Sequence, residues 1–261
     1  MRWSAGCLVL GLLLCSSLVQ AEDVLISTGE YPPWTGEKLP DGGVINRIVR
    51  EAFRREGQTV RFHFMPWPRA IAELKTGEVQ ASSYWGHDPA RDGYTLMSDT
   101  LLNGTWRLFH LRGTVLPRWN RLADLSRYRF GTTRSYTYPD ELDRLIRNGT
   151  LKVVVASDDE STMVNLLQGT VDIVPIDELT GEAVLMSPVF TQQALNSIVF
   201  DDKPFSASPG YLLVRKTREG TRLVHLFNMG LASMKADGTL KRYEREMFKS
   251  MTDEAQVNLR P

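Results

Sequence analysis

The stretch ELKTGEVQASS, residues 73–83, passes from a helical pattern through a glycine into the start of a strand. A second stretch, NLLQGTVDIVP at residues 165–175, has the same order of helix end, glycine and strand. A glycine just past a helix is typical of a left-handed C-terminal cap. The repeated design predicts two α/β units, each with its own sheet, and therefore a molecule of two lobes.

The segments on either side of these stretches alternate between strand and helix patterns. Strands are predicted for residues 23–28, 59–65, 79–85, 128–133, 151–157, 170–177 and 210–216, with helical patterns between and after them. In the first helical pattern Val44, Ile48, Ala52 and Phe53 recur on one face at helical spacing. Alternation of this kind predicts parallel sheets with helices on both faces.

Two charged residues follow predicted strands in the two units. Arg91 closes the segment GHDPAR after the first strand, and Asp177 opens the segment DELTGE after the second. Ligands in open α/β sheets bind beyond the carboxyl ends of the strands, so both residues are predicted to line a cleft between the lobes. Two simpler interpretations stay open: Arg91 can be solvated in its turn, and Asp177 can be the N-cap of a following helix.

The composition restricts the compartment and the kind of partner. Residues 1–21 have an early Arg2, a short apolar run and small residues at the end, which predicts a cleaved signal peptide. Both cysteines, Cys7 and Cys15, lie inside that segment, so the mature chain has no disulfide or thiol chemistry and suits a periplasm. Without Arg2 the net charge is about −1, and no later apolar run could span a bilayer. We therefore expect a small-molecule ligand, no nucleic acid and no stable membrane insertion.

Motifs for metals, cofactors and common enzymes are missing from the sequence. The four histidines have no metal-ligand spacing, and no P-loop, dinucleotide-binding or nucleophile-elbow motif occurs. The sequence therefore predicts no metal and no cofactor.

Five segments in order resemble a known family. They are STGEYPPW (27–34), ELKTGEVQASSYWGHDPARDGYTLMSD (73–99), LADLSRYRFGTTRSYTY (122–138), LLQGTVDIVPID (166–177) and MKADGTLKRYEREMF (234–248). Together they resemble the family 3 solute-binding proteins of bacterial transport systems, the polar amino-acid-binding group. The resemblance implies a type II periplasmic binding protein-like α/β fold, with two α/β lobes joined by a two-strand hinge. It places residues 22–106 plus 205–261 in lobe 1 and residues 107–204 in lobe 2.

The resemblance also implies a ligand site between the lobes. Arg91 would hold a ligand carboxylate and Asp177 an ammonium, while Tyr31 and Trp67 would stack on the ligand side chain. Ser83 and Gly86 would offer a hydroxyl and backbone N–H groups. The second lobe would contribute the remaining members of the site, Thr133, Tyr136 and Tyr138. Trp34 is expected in the core rather than in the site.

Several positions depart from the family pattern. Asp88 stands where a threonine is common, three residues before Arg91, and it could bind a second cationic group or pair with Arg91. Arg69, near Trp67, is an additional positive candidate for the site. The segment RSYTY (134–138) replaces a glycine-containing turn with bulkier residues, and Gln80 replaces a frequent aspartate, which we interpret as structural.

The function implied is capture of a small amino-acid-like or carboxylate-bearing solute in the periplasm. The expected partner is the permease complex of an ABC transporter, and we expect a monomer without enzymatic activity. Two alternatives remain open on the same fold. One is a periplasmic dehydratase resembling the cyclohexadienyl dehydratases, with Asp88 or Glu178 as the acid and His87 nearby, and the other is a ligand-sensing protein.

Overall fold

The computed structural model describes residues 23–258, with side chains up to Met251. The predicted signal peptide, with Cys7 and Cys15, lies outside the described residues. The strands are β1 (Val24–Thr28), β2 (Val60–Phe64), β3 (Ala81–Trp85), β4 (Thr95–Met97), β5 (Asn103–Leu111), β6 (Arg129–Thr133), β7 (Lys152–Ala156), β8 (Val174–Asp177), β9 (Ile198–Phe200), β10 (Ser206–Pro209) and β11 (Tyr211–Arg215). The helices are α1 (Val44–Arg55), α2 (Trp67–Thr76), α3 (Asp140–Arg147), α4 (Asp159–Leu167), α5 (Glu178–Leu185), α6 (Gln192–Ser197), α7 (Arg218–Ala236) and α8 (Thr239–Asn258).

The first lobe is built on a five-stranded sheet with the order β2-β1-β3-β11-β4. Strands β1, β2 and β3 are parallel, as their β-α-β connections require. The predicted apolar face of α1 is confirmed, because Val44, Ile48, Ala52 and Phe53 are all buried in the core of this lobe. Phe53 meets Phe227 of α7 with ring centroids 5.4 Å apart.

The second lobe holds β5, β8, β9 and β10 in one sheet, with the parallel pair β6 and β7 beside it. A bridge between Phe130 of β6 and Ile173, just before β8, joins the two groups of strands. The apolar side chains of this lobe form two clusters, one around Phe130 and one around Phe109.

The prediction of parallel sheets is confirmed for β1, β2 and β3 and for β6 with β7, but it is wrong for the other strands. Strand β11 runs antiparallel to both β3 and β4, and β5 runs antiparallel to β8, β9 and β10. The physical reason is that the chain leaves the first lobe through β5 and re-enters it through β10 and β11. A returning strand approaches its sheet from the other end, and the strand-helix alternation of the sequence does not reveal this.

Two neighbouring segments therefore connect the lobes. β5 and β10 pair with each other, from Asn103 opposite Pro209 to Trp106 opposite Ser206. The predicted lobe ranges put the crossings close by, at residues 106/107 and 204/205, and these boundaries stay predictions. Within the described residues, no helix is long and apolar enough to span a bilayer.

Candidate functional site

A small cavity lies between the two lobes, next to the paired strands that connect them. Its volume is about 70 Å3. We call it the aromatic cavity because seven of its fifteen lining residues carry aromatic rings. The lining residues are Tyr31, Trp34, Trp67, Tyr84, Trp85, Gly86, Gly104, Trp106, Ser135, Tyr136, Thr137, Asp177, Ser208, Pro209 and Gly210.

Asp177 supplies the carboxylate of the aromatic cavity. It ends β8 and is the N-cap of α5, where its Oδ1 accepts from the backbone N–H of Thr180 at 3.1 Å. The same Oδ1 accepts from Nε1 of Trp34 at 2.8 Å, a bond that joins the two lobes. The two interpretations of Asp177 are therefore compatible, since one residue can cap the helix and face the cavity.

The second carboxylate oxygen of Asp177 is left without a partner. The residue is 1% exposed, and its Oδ2 is buried and receives no well-formed hydrogen bond. Burial raises the pKa of Asp177 to about 6. The hydrogen bonds from Trp34 and from the Thr180 amide act in the opposite direction, as does the nearby amide of Thr105. A buried acceptor in this state gains a large free energy from a donor or a positive charge.

Gly104 makes room for this oxygen. A Cβ atom at Gly104 would lie 2.7 Å from Oδ2 of Asp177, closer than a Cβ atom approaches a non-bonded oxygen. Gly104 belongs to β5, and Asp177 of β8 pairs with Trp106, two residues further along β5. The absence of a side chain at Gly104 therefore leaves room for the Asp177 carboxylate in its observed position.

Aromatic rings from both lobes form the cavity walls. Trp67 meets Trp85 edge to face, with ring centroids 5.0 Å apart. Tyr31 of the first lobe meets Tyr136 of the second in the same geometry at 5.4 Å. Trp67 is also fixed by its indole N–H, which donates to the backbone oxygen of Glu30 at 3.1 Å. These contacts hold the rings in defined orientations.

Arg91 is not among the residues that line the aromatic cavity. Its guanidinium lies over the Trp85 ring, with Cζ 4.4 Å from the ring centroid, and its Nε is 3.5 Å from Oδ2 of Asp88. Its Nη1 is buried without a hydrogen-bond partner, and burial lowers the pKa of Arg91. Asp88 in turn caps the short helical turn Pro89–Arg91 by accepting from the amide of Ala90. A carboxylate-binding role for Arg91 stays a prediction.

The other residues predicted for the site divide into two groups. Tyr31, Trp67, Gly86 and Tyr136 line the aromatic cavity together with Asp177. Ser83, Thr133, Tyr138, Asp88 and Arg69 do not line it.

Three residues outside the aromatic cavity have partners that explain their positions. Ser83 is fully buried and donates to the side-chain oxygen of Asn46 at 2.7 Å. Arg69 is largely exposed and pairs with Glu73 at 2.7 Å. Gln80 accepts from the amide of Leu25 at 2.8 Å, which confirms the structural interpretation of that position.

A wider cavity of about 750 Å3 opens beside the aromatic cavity and shares Trp67 and Tyr136 with it. Five carboxylates and one guanidinium line it, those of Glu30, Glu37, Asp158, Asp159, Glu160 and Arg134.

Asp159 is the buried carboxylate on this side. Its Oδ1 accepts from the Thr133 hydroxyl at 2.7 Å, and its Oδ2 accepts from the Tyr136 hydroxyl. The amide of Thr133 donates to the hydroxyl of Tyr138 at 2.7 Å. Burial raises the pKa of Asp159 to about 6 against these hydroxyl bonds, which lower it. Thr133, Tyr136 and Tyr138 thus build one network with an aspartate.

The turn before Tyr136 keeps an unusual backbone. Ser135 has φ of 64°, in the left-handed region that favours glycine, and it lines the aromatic cavity. The turn in RSYTY therefore has a glycine-like backbone without a glycine, and the ring of Tyr136 forms part of the cavity wall.

Sequence reasoning missed several cavity residues. Trp34, expected in the core, is both 3% exposed and hydrogen-bonded to Asp177 in the cavity. The further lining residues without a sequence prediction of a place near a ligand are Tyr84, Trp85, Gly104, Trp106, Thr137, Ser208, Pro209 and Gly210. Their positions at strand ends could have indicated a place near the cavity, because Tyr84 and Trp85 end β3 and Trp106 lies early in β5. Among residues 23–251, no group of three or more histidine, aspartate or glutamate side chains is arranged to hold a metal ion.

A family model described as bacterial extracellular solute-binding proteins, family 3, matches residues 24–250. No curated protein sequence matches the chain.

Solved structures with the same fold include binding and sensor proteins. A histidine kinase sensor domain with similarity to periplasmic binding proteins is 18% identical, with a TM-score of 0.73 over 86% of this chain and 95% of that chain. An ancestral arginine-binding protein bound to arginine is 20% identical, with a TM-score of 0.71 over 87% of this chain and 98% of that chain. The substrate-binding protein of an amino acid ABC transporter is 14% identical, with a TM-score of 0.70 over 87% of this chain and 100% of that chain. At these identities the likeness shows the fold, here the two-lobed type II periplasmic binding protein-like fold.

Proposed function

The chain belongs to the bacterial extracellular solute-binding proteins, family 3, and on that premise we propose that it captures a small amino-acid-like solute between its lobes. The solute carries a positively charged nitrogen, and the protein delivers it to the permease complex of an ABC transporter. We further propose that the protein is exported to the periplasm, acts as a monomer and has no enzymatic activity.

The single observation that supports this proposal most is the buried, unpartnered Oδ2 of Asp177 in a cavity between two lobes. A charge buried without a partner is costly, and a positively charged nitrogen from the solute removes that cost. The aromatic rings of Tyr31 and Trp67 would pack against the rest of the solute. Asp177 is the group to which we assign the solute's nitrogen.

Closure of the two lobes would couple capture to a change of shape. The hydrogen bond from Trp34 to Asp177 and the ring contact between Tyr31 and Tyr136 both join the lobes. We propose that these contacts form when the lobes close and break when they open about the paired strands β5 and β10. A permease could then distinguish the closed, loaded protein from the open one.

Arg91 remains our candidate for a carboxylate on the solute. Its buried Nη1 lacks a partner, and its guanidinium could offer two parallel N–H groups to a carboxylate. To reach the aromatic cavity it has to leave its position over Trp85, or the carboxylate has to extend past that ring.

A thermal-shift screen tests the proposed function. The protein is unfolded in guanidinium, dialysed, refolded and screened against amino acids, methylated amines, polyamines and small carboxylates. A solute present at a hundred times its dissociation constant should add about 2.7 kcal/mol of stability. Asp177→Asn should abolish the shift, whereas a screen without any shift, or a shift that survives this variant, would contradict the assignment.

A ligand-sensing role is the second candidate, and the likeness to a histidine kinase sensor domain favours it. Solute binding would be the same in both roles, so the readout has to be downstream. Uptake of a labelled solute into cells that lack and then regain this protein would indicate transport. Unchanged uptake with a solute-dependent change in gene expression would indicate sensing.

The dehydratase alternative has less support in the site. Glu178 pairs with Arg107 at 2.7 Å, His87 lies 3.2 Å from Asp92, and Asp88 caps a turn. None of these three residues lines the aromatic cavity. Incubation with arogenate or prephenate should therefore give no aromatic product.

A further inference from the structure

The aromatic cavity has the electrostatic character of a site for a cation. Asp177 is the one ionisable carboxylate among its lining residues, and no lysine, arginine or histidine stands among them. A second buried carboxylate, that of Asp159, is bonded to the hydroxyl of the cavity residue Tyr136. The anionic forms of both aspartates raise the pKa of the Tyr31 phenol, after burial, so their charge acts across the cavity.

The guanidinium of Arg91, which was predicted to hold a ligand carboxylate, does not offset the charge of Asp177 at the cavity wall. The guanidinium of Arg91 lies against the Trp85 ring and close to Asp88, and it is absent from the lining. A carboxylate placed in the aromatic cavity would therefore be buried without a positive partner, which is strongly unfavourable.

The walls suit a particular kind of cation. A primary ammonium carries three N–H donors, and each needs an acceptor when it is buried. Among the side chains of the cavity, the buried acceptors without a hydrogen-bond partner are Oδ2 of Asp177 and the hydroxyl of Thr137. Ring faces and edges form most of the remaining wall. A methylated ammonium has few or no N–H groups to satisfy and spreads its charge over methyl groups that pack on aromatic rings.

We propose that the aromatic cavity binds a compact methylated ammonium group, with Asp177 as its counter-ion and the rings of Tyr31, Trp67 and Trp106 as its cage. The ligand class is a small solute that carries a trimethylammonium or similar head. This proposal rests on the proposed function and narrows its solute from amino-acid-like cations in general to methylated ones.

The test compares two ligands of nearly the same shape. Choline has a trimethylammonium head, and 3,3-dimethylbutan-1-ol replaces the charged nitrogen with a neutral carbon. Calorimetric titration of the refolded protein should show choline binding at least about tenfold more tightly than the alcohol, because only the cation is attracted by the rings and the carboxylate. Tetramethylammonium should also bind, since it presents the head alone.

Three variants connect the result to the cavity. Asp177→Asn keeps an oxygen for Trp34 and Thr180 but removes the charge, and it should abolish the preference for choline over the alcohol. Trp67→Leu removes a ring from the wall and should weaken choline binding about tenfold or more. Glu37→Gln removes a carboxylate that lines the wider cavity instead, and it should leave choline binding unchanged.

The outcomes separate this proposal from the one on which it rests. Equal binding of choline and the alcohol, or choline binding that survives Asp177→Asn, would overturn the methylated-ammonium site. If unmethylated amino acids bind through Asp177 and neither choline nor tetramethylammonium binds, this proposal fails and the proposed function stands. If no member of the panel binds, both fail.

Discussion

Single residues determine the chemistry of the cavity, and Asp177 shows how. Its position at the end of a strand and the start of a helix fixes one oxygen on the Thr180 amide and the Trp34 indole. The other oxygen has no comparable partner. A helix N-cap thus serves as a rigid support that presents a charge to a ligand site.

Gly104→Ala tests how closely that carboxylate is fitted. The new Cβ would lie 2.7 Å from Oδ2 of Asp177, so the carboxylate or the strand has to shift. We expect a destabilisation of about 1–3 kcal/mol, typical of overpacking, and at least about a tenfold loss of solute affinity. Calorimetric titration and urea unfolding measure the two effects.

Gly113→Ala, just past the other end of β5, is the matched control, because a Cβ atom added there would meet open space among the described residues. It should change neither stability nor affinity. If Gly104→Ala also changes neither, the carboxylate is not confined as described.

The raised pKa of Asp177, about 6, predicts a pH dependence of folding stability. An unfolded aspartate has a pKa of about 3.9, so between pH 4 and 6 the folded protein binds more protons than the unfolded chain. The contribution of Asp177 to the free energy of unfolding is therefore fully present below pH 4 and is lost as pH rises through 6. At about 1.4 kcal/mol per pKa unit, this contribution is roughly 3 kcal/mol.

Urea unfolding of the parent and Asp177→Asn at pH 4.5 and pH 7 isolates this effect. Carboxyls with lowered pKa values, such as Glu51, change stability in the opposite direction in acid, so only the difference between the two proteins is informative. The parent should lose more stability than the variant on going to pH 7. An equal change in both proteins would show that Asp177 has an ordinary pKa.

At the scale of elements, close contact between helices holds the first lobe together. Gly230 of α7 lies against α1, and a Cβ atom there would be 2.0 Å from the backbone oxygen of Ala52. No rotamer change can relieve a clash with backbone, so the two helices have to separate. The core around Phe53 and Phe227 depends on this contact.

Gly230→Ala should therefore destabilise the protein by about 3 kcal/mol, at the upper end of overpacking effects, despite the better helix propensity of alanine. The midpoint of urea unfolding measures it. Gly93→Ala, with open space around the added methyl group, is the control and should be neutral. A stability of Gly230→Ala equal to the parent would mean that α1 and α7 are not in this contact.

The elements also show what the sequence could and could not predict. Helices with a clear apolar face, such as α1, and strands that follow a helix and a glycine, such as β3, were predictable from local pattern. Strand β11 was predictable as a strand but its antiparallel pairing was not, because pairing depends on where the chain returns.

The site was predictable to a similar extent. Asp177, Tyr31 and Trp67 were named from the family pattern and lie together in the aromatic cavity. Trp34 and Trp106 were missed, since an aromatic residue in a loop or strand is typical of a core until the second lobe is placed against it. The position of Arg91 over Trp85 also depends on packing that no local pattern encodes.

At the scale of the whole molecule, the hydrogen bond between Trp34 and Asp177 joins the two lobes, and it should therefore slow the release of the solute. Trp34→Phe removes the indole donor and leaves Oδ1 of Asp177 with its bond from Thr180. A hydrogen bond to a charged group contributes about 1.5–3 kcal/mol, so solute dissociation should become at least about tenfold faster. Stopped-flow tryptophan fluorescence measures the rate.

Trp119→Phe is the matched control. Its indole donates to Oδ2 of Asp201 at 2.9 Å, the same kind of bond made within the second lobe. This variant should leave dissociation unchanged. Equal dissociation rates for Trp34→Phe and Trp119→Phe would contradict the role of the bond between the lobes.

The most direct test of capture between the lobes is a crystal structure of the protein with the best-binding solute of the screen. The positively charged nitrogen should lie within about 4 Å of Oδ2 of Asp177, the range of an ion pair, with the rings of Tyr31 and Trp67 around it. A solute bound instead in the wider cavity beside Asp159, or outside both cavities, would contradict the assignment of Asp177 as its binding group.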